Sequence, residues 1–234
     1  MNKLEALTLA EFENRLATGK LRLSLVGMSN VGKTYWSRLL ARDGFTNICC
    51  DDLIEQKLGH ELLELGYVGG IADMAKWLGQ PYDERFEANQ RRYLQLETDT
   101  LREIIASLEN DDQSGNIVVD TTGSVVHTDP AIRRKLSELT TVVYLEASGE
   151  MRQEMFQLYI AEPKPVVWED KFNIQAKETN IEALTRCYPE LLEYRSGLYE
   201  AMSHVTIPWE TSLAMTGAGV AAFLAYIKSV LPQQ

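Results

Sequence analysis

Two hydrophobic periods alternate along the chain. Short apolar runs at 21–26, 45–50, 117–119, 141–145 and 204–207 are separated by stretches where apolar residues return every third or fourth position. The runs predict buried strands, and the stretches between them predict amphipathic helices. Thr8 with Glu11 is a capping-box pattern, and Leu9, Phe12 and Leu16 keep helical spacing until Gly19, a natural stop. Residues 35–42 read as helix with Leu39 and Leu40 inward, and 51–65 as helix with Leu53, Ile54, Leu58, Leu62 and Leu65 on one side. Gly66, Gly69 and Gly70 break the pattern. A short helix at 71–79, an interruption at Pro81, a long helix at 83–109 and a polar turn at 110–116 follow.

Asp129-Pro130 opens a helix through about residue 139, with proline at its favoured first position. A helix over 149–160 runs into Glu162-Pro-Lys-Pro165, and the charged stretch to Thr179, which carries Trp168, lacks clean periodicity and reads as a mobile lid. Residues 189–202 read as helix, and 213–231 as one terminal helix despite Gly217 and Gly219. Strands alternating with helices imply an α/β fold with a mostly parallel sheet covered on both faces.

Composition narrows this picture. At 234 residues the chain suits one well-buried α/β core with an insertion. A formal charge of -11 argues against nucleic acid as a partner, since a phosphate backbone calls for clustered Lys and Arg. No apolar stretch approaches a membrane span, and the N-terminus lacks a signal-peptide pattern, so the expectation is a soluble cytoplasmic protein without a membrane partner. Cys49, Cys50 and Cys187 form neither a disulfide framework nor zinc spacing, and the expectation is that they are reduced.

The chemistry begins at Gly27-Met28-Ser29-Asn30-Val31-Gly32-Lys33-Thr34, which matches G-x-x-x-x-G-K-[ST] at every fixed position, between an apolar strand and a helix. Glycine at 27 and 32 lets consecutive backbone N–H groups point into one concavity at a helix N-terminus, where a triphosphate binds. The candidate nucleotide-binding set is Gly27, Ser29, Asn30, Val31, Gly32, Lys33, Thr34 and Tyr35. Lys33 is expected on the β- and γ-phosphates of ATP and the Thr34 hydroxyl on Mg²⁺. Asp120 ends the third strand, where a carboxylate holds Mg²⁺ in many P-loop proteins; a helix cap or turn is its alternative use. Asp51 and Asp52 follow the second strand. If one caps the helix, the other is free to orient an acceptor hydroxyl and take its proton.

With these residues in place, the chain resembles shikimate kinase and its relatives from about residue 21 to 207. The family's D-x-D-x-x-I-E segment is similar to Cys49-Cys50-Asp51-Asp52-Leu53-Ile54-Glu55, with Cys49 at the first Asp and Asp51 at the second. Its F-R-x-x-E helix resembles Tyr93-Leu94-Gln95-Leu96-Glu97, which puts Leu94 where the family's carboxylate-binding arginine stands; Arg91 is the nearest substitute on that helix. The glycine triplet resembles Thr122-Gly123-Ser124, the lid Arg-Pro resembles Lys164-Pro165, and R-x-P-L-Y resembles Arg195-Ser196-Gly197-Leu198-Tyr199. The stretch over 66–84 is expanded.

The resemblance implies a three-layer α/β/α P-loop fold with a five-stranded parallel sheet of order 2-3-1-4-5. It implies a core at 21–210 with an insertion at 66–92 and a lid at 160–180, and the residue pattern outside it adds a helical extension at 1–20 and a C-terminal helix at 211–234. It also implies Lys33, Asp51 and Asp120 as catalytic residues, Thr34 and Asp120 on Mg²⁺, and Asp51, Arg91, Gly123, Lys164 and Arg195 on a small-molecule hydroxyl acceptor. Losing the bidentate guanidinium at 94 points away from ordinary shikimate turnover. Two functions stand. One is ATP-dependent phosphoryl transfer to a hydroxyl of a small metabolite; the other is non-catalytic ATP binding with a protein partner on 66–84. Lys164 is also read as a solvated lysine, Arg195 as a surface helix charge, Trp77, Trp168 and Trp209 as packing residues, and the two adjacent cysteines as small apolar residues.

Overall fold

The computed structural model describes residues 6–110 and 115–233. Most of the turn expected at 110–116 therefore lies outside the described residues. Five strands, β1 (Arg22–Val26), β2 (Thr46–Cys49), β3 (Ile117–Asp120), β4 (Thr141–Leu145) and β5 (Val205–Ile207), form one sheet of order β2-β3-β1-β4-β5. Every pairing is parallel, as the alternation of periods demanded. Central strands β1, β3 and β4 are buried along their whole length, which is why they read as unbroken apolar runs rather than alternating ones.

The helices that cover the sheet are α1 (Leu9–Ala17), α2 (Lys33–Arg42), α3 (Cys50–Glu64), α4 (Ile71–Leu78), α5 (Phe86–Glu109), α6 (Pro130–Leu139), α7 (Gly149–Ala161), α8 (Asn180–Met202), α9 (Trp209–Met215) and α10 (Gly219–Val230). The capping box at Thr8 and Glu11 is present, and Asp129 caps α6 ahead of Pro130. Register places the functional residues. Leu25 of β1 and Cys49 of β2 both sit opposite Asp120 of β3, so the loop after β1, the start of α3 and the end of β3 meet at one carboxyl edge of the sheet. That edge is where open α/β sheets bind ligands.

Three expectations change. Helix α8 starts at Asn180, nine residues before Pro189, because Thr179 and Glu182 form a second capping box that starts the helix upstream; the proline is carried inside it. The terminal helix is two helices, α9 and α10, parted at Gly217–Gly219, where Gly219 adopts φ +70°. Residues 162–179 have almost no regular structure, but Val166, Val167 and Trp168 are buried in the core. The Gln90 side chain accepts hydrogen bonds from the backbone N–H of Trp168 at 2.6 Å and of Glu169 at 2.9 Å. This stretch is an anchored cover rather than a free loop.

The C-terminal helices back the phosphate loop. Trp36 of α2 stacks on Phe223 of α10 with ring centres 4.5 Å apart, and its indole N–H donates to Ser212 of α9 at 2.8 Å.

Candidate functional site

The phosphate loop is shaped by two glycines. Gly27 has φ +143°, and a Cβ there would lie 2.5 Å from the Leu145 carbonyl oxygen, so no side chain fits. Gly32, at φ +93°, is the N-cap of α2, and the helix starts at Lys33. The Lys33 ammonium donates to the carbonyl oxygens of Gly27 and Met28, both at 2.8 Å. Burial pushes its pKa down, and the charges of Asp120 and Asp51 oppose that shift.

A cleft of about 420 Å³ opens beside this loop. Ser29, Asn30, Gly32, Lys33, Thr34 and Tyr35 line one part of it, with Arg38 of α2. Cys49, Asp51, Asp52, Tyr93, Gly123 and Ile71 line the rest, and Lys164 and Pro165 border it from the cover segment. The structure thus gathers most of the expected residues into one cavity. Gly27 and Val31 lie in the loop behind the lining, and Val31 is buried.

Asp51 and Asp52 occupy the first turn of α3, where the helix dipole favours carboxylates, and neither is the N-cap, which is Cys49. Both are therefore free of the capping use. Burial raises the Asp51 carboxyl to about 6; the Lys33 charge works against that rise, while Asp120 and Asp52 add to it. Asp120 is only 3% exposed and accepts a hydrogen bond from the Ser37 hydroxyl at 3.1 Å. It sits behind the cleft surface and within electrostatic reach of Lys33.

For Mg²⁺ the donors offered are hard oxygens, the Thr34 hydroxyl and the Asp120 carboxylate. No group of three or more His, Cys, Asp or Glu fit to hold a metal occurs among the described residues. Mg²⁺ does not need one, because it is held by one or two carboxylates together with phosphate oxygens and water. The residue set fits that ion.

The acceptor-side expectations divide. Tyr199 donates its hydroxyl proton to the Gly123 carbonyl, which fixes that wall of the cleft. Lys164 reaches the loop and bonds the Asn30 side chain. Arg195 is buried rather than on the surface: Nε donates to Nε2 of His127 at 3.0 Å, and a terminal nitrogen donates to the Val167 carbonyl. Arg91 is not brought to the site. Its side chain is exposed and paired with Glu87 one turn earlier on α5, because Gln90, Tyr93 and Glu97 take the inward face.

Two groups carried no assigned role in the sequence. Glu97 is 1% exposed, with both carboxylate oxygens accepting from the hydroxyls of Thr122 and Ser124, the latter at 2.7 Å. Burial raises its carboxyl to about 7. The signal was there in the shared spacing of Tyr93 and Glu97 on one helical face. His127 is the second, and nothing in its sequence neighbourhood marks it. Trp77 and Trp168 are buried packing residues. Burial pushes the Cys49 thiol up to about 12 and Cys50 higher than usual, so both stay protonated apolar side chains.

Glycine loop, parallel sheet order and edge-mounted cleft together define a P-loop α/β/α protein. Among solved structures the chain is similar to a shikimate kinase from Acinetobacter baumannii in complex with shikimate, with TM-score 0.52 and 22% identity over 86% of this chain and 93% of that one. It is also similar to the shikimate kinase from Aquifex aeolicus, with TM-score 0.50 and 15% identity over 88% and 98% of the two chains. This chain has the shikimate-kinase-like P-loop fold. By sequence, no protein-family model and no curated protein matches it. Among the described residues, no helix is long and apolar enough to cross a membrane.

Proposed function

We propose that the protein transfers the γ-phosphoryl group of ATP to a hydroxyl of a small metabolite. The observation that carries this reading is the sharing of one cleft by the phosphate-loop residues Lys33 and Thr34 and the carboxylate of Asp51. In the proposed reaction a bond forms between the acceptor oxygen and the γ-phosphorus, and the bond from that phosphorus to the β,γ-bridging oxygen breaks. ADP leaves, and the acceptor's proton passes to Asp51. Lys33 contributes a fixed positive charge against the phosphate oxygens, and Lys164 adds a second from the cover. Bound Mg²⁺, held by Thr34 and Asp120, would neutralise charge on the β- and γ-oxygens. Burial of the cover segment at Val166, Val167 and Trp168 supports water exclusion around the reacting atoms. A raised Asp51 carboxyl suits a group that must accept a proton near neutral pH.

A second reading, ATP binding without transfer and a protein partner on 66–84, is supported by exposed Leu63 and Val68 beside a groove of about 410 Å³ on that side. A phosphate-transfer screen over hydroxylated metabolites separates the two. The kinase reading expects product with wild type and at least a hundredfold less with Asp51→Asn, while ATP affinity stays within a few-fold. Absence of any product above background ATP hydrolysis sinks it.

A further inference from the structure

The phosphate loop carries one left-handed residue that is not glycine. Asn30 has φ +67°, a conformation that glycine takes freely and that a β-carbon disfavours, with asparagine among the few side chains that tolerate it. Its side chain has a partner. The Lys164 ammonium, 134 residues further along the chain, donates to the Asn30 amide oxygen. Ser29, Asn30 and Lys164 line both the cleft of about 420 Å³ and a smaller cavity of about 20 Å³ that Arg195 shares. The smaller cavity has room for little more than a water molecule, so of these two cations Lys164 is the one presented to a ligand in the cleft.

The contact holds a charge without cancelling it. Beyond the effect of burial, the Lys164 charge adds to the lowering of the Lys33 pKa, and it opposes the rise that burial gives Asp51. Two ammonium groups near one another repel, so the second must be held beside the loop. A carboxylate in the place of Asn30 would neutralise the lysine and repel phosphate; an amide oxygen accepts the N–H and leaves the charge whole. Among the described residues Lys164 has no ion-pair partner. Its ammonium has three donors, and the bond to Asn30 uses one, which leaves two for phosphate oxygens. Pro163 and Pro165 restrict the backbone on either side of Lys164, and Val166, Val167 and Trp168 bury the strap just beyond. What the strap leaves free is a long flexible side chain, and Asn30 fixes its tip.

Resting on the ATP-binding part of the reading above, we propose that Asn30 is a positioning residue: its side-chain oxygen holds the Lys164 ammonium for the γ-phosphate, so the two side chains act as one unit in distinguishing a triphosphate from a diphosphate. The backbone of Asn30 belongs to the loop, and its side chain belongs to the cover.

The test is titration calorimetry with Mg²⁺ on wild type, Asn30→Gly, Lys164→Ala and the double variant, each with a non-hydrolysable ATP analogue and with ADP. Glycine keeps the left-handed backbone, so Asn30→Gly removes the side chain without reshaping the loop. The ratio of the two affinities isolates the γ-phosphate. Each single variant is expected to lower that ratio by about tenfold, the effect of one charge contact, and the double variant by no more than Lys164→Ala alone. A ratio unmoved in either single variant overturns the proposal. A ratio that rises in Asn30→Gly shows that the contact competes with nucleotide and overturns it equally. Losses that add in the double variant overturn the coupling. If the ratios behave as expected while the metabolite screen yields no product, the kinase reading fails and this assignment stands. If wild type binds neither nucleotide, the ATP-binding reading fails and this proposal falls with it.

Discussion

Arg195 and His127 are joined by a hydrogen bond from Nε to Nε2 at 3.0 Å, which fixes the tautomer of a buried imidazole. A guanidinium only donates, so Nε2 must accept and the ring proton resides on Nδ1. That atom lies 3.0 Å from a Glu169 carboxylate oxygen, without the alignment of a hydrogen bond. The contact ties the cover segment to α8 through a neutral ring.

Acid stability follows from this ring. Burial first, and then the charges of Arg195, Arg133 and Lys171, push His127 down to about 3, while the Glu169 carboxylate 3.0 Å away pulls the other way without overcoming burial. The unfolded chain takes up this proton near 6.5, so stability from the neutral ring is full above about 6.5 and is lost as pH falls toward 3. His127→Gln, which retains an acceptor, should remove this loss. Urea melts at pH 6.5 and 4.5 are expected to show wild type losing about 1–2 kcal/mol more than the variant. Equal losses would refute the assignment.

Glu97 carries the opposite slope. Its folded pKa of about 7 lies above that of an unfolded glutamate, so the folded state holds the proton longer and stability falls as pH rises from about 4.5 to 7. Glu97→Gln imitates the protonated acid. Its stability relative to wild type is expected to improve by about 2 kcal/mol between pH 4.5 and 7.5, read by the same melts. Since His127 and Glu97 pull in opposite directions over part of this range, only the comparison with each variant isolates either group.

Asp51, at about 6, should govern the pH dependence of transfer. The carboxylate is the form that accepts a proton, so kcat/KM is expected to fall about tenfold per pH unit below about 6 and to level off above it. Measuring the rate from pH 5 to 8 on the best acceptor checks this. A profile flat through 6 would remove Asp51 as the proton acceptor.

Lys33→Ala should weaken ATP binding by at least about a hundredfold, since more than one charge-assisted phosphate contact is lost. Calorimetric titration reads the affinity. The variant is expected to stay folded, because the removed ammonium is one that burial disfavours.

The five strands and the phosphate loop were legible in the sequence because each rests on local signals, an apolar run or a glycine spacing. Pro189 hid the first turns of α8, since a proline ordinarily breaks a helix, whereas here the Thr179 and Glu182 capping box starts the helix upstream. Trp168 sits in a segment with no period, and it is held by tertiary partners, the Gln90 side chain 78 residues away on its backbone N–H and the rings of Tyr159, Phe172 and Tyr188 around its indole. Spacing alone cannot say which face of a long helix turns inward, so it offers Arg91 to the site; Tyr93 and Glu97 take that face instead. The same limit applies to Arg195, whose partners come from the 3₁₀ turn Val125–His127 and the cover segment.

Trp36 lies three residues past Lys33, with its ring against Phe223 and its N–H on Ser212. The far end of the chain thus serves as a splint for the helix that presents the loop. An indole so placed is a built-in optical gauge: any shift of α2 against α9 and α10 alters both its stacking and its hydrogen bond. Removal of residues 209–233 would expose this ring to water and leave the phosphate loop on an unbraced helix, so the loop's rigidity is a property of the chain's last two helices as much as of its glycines.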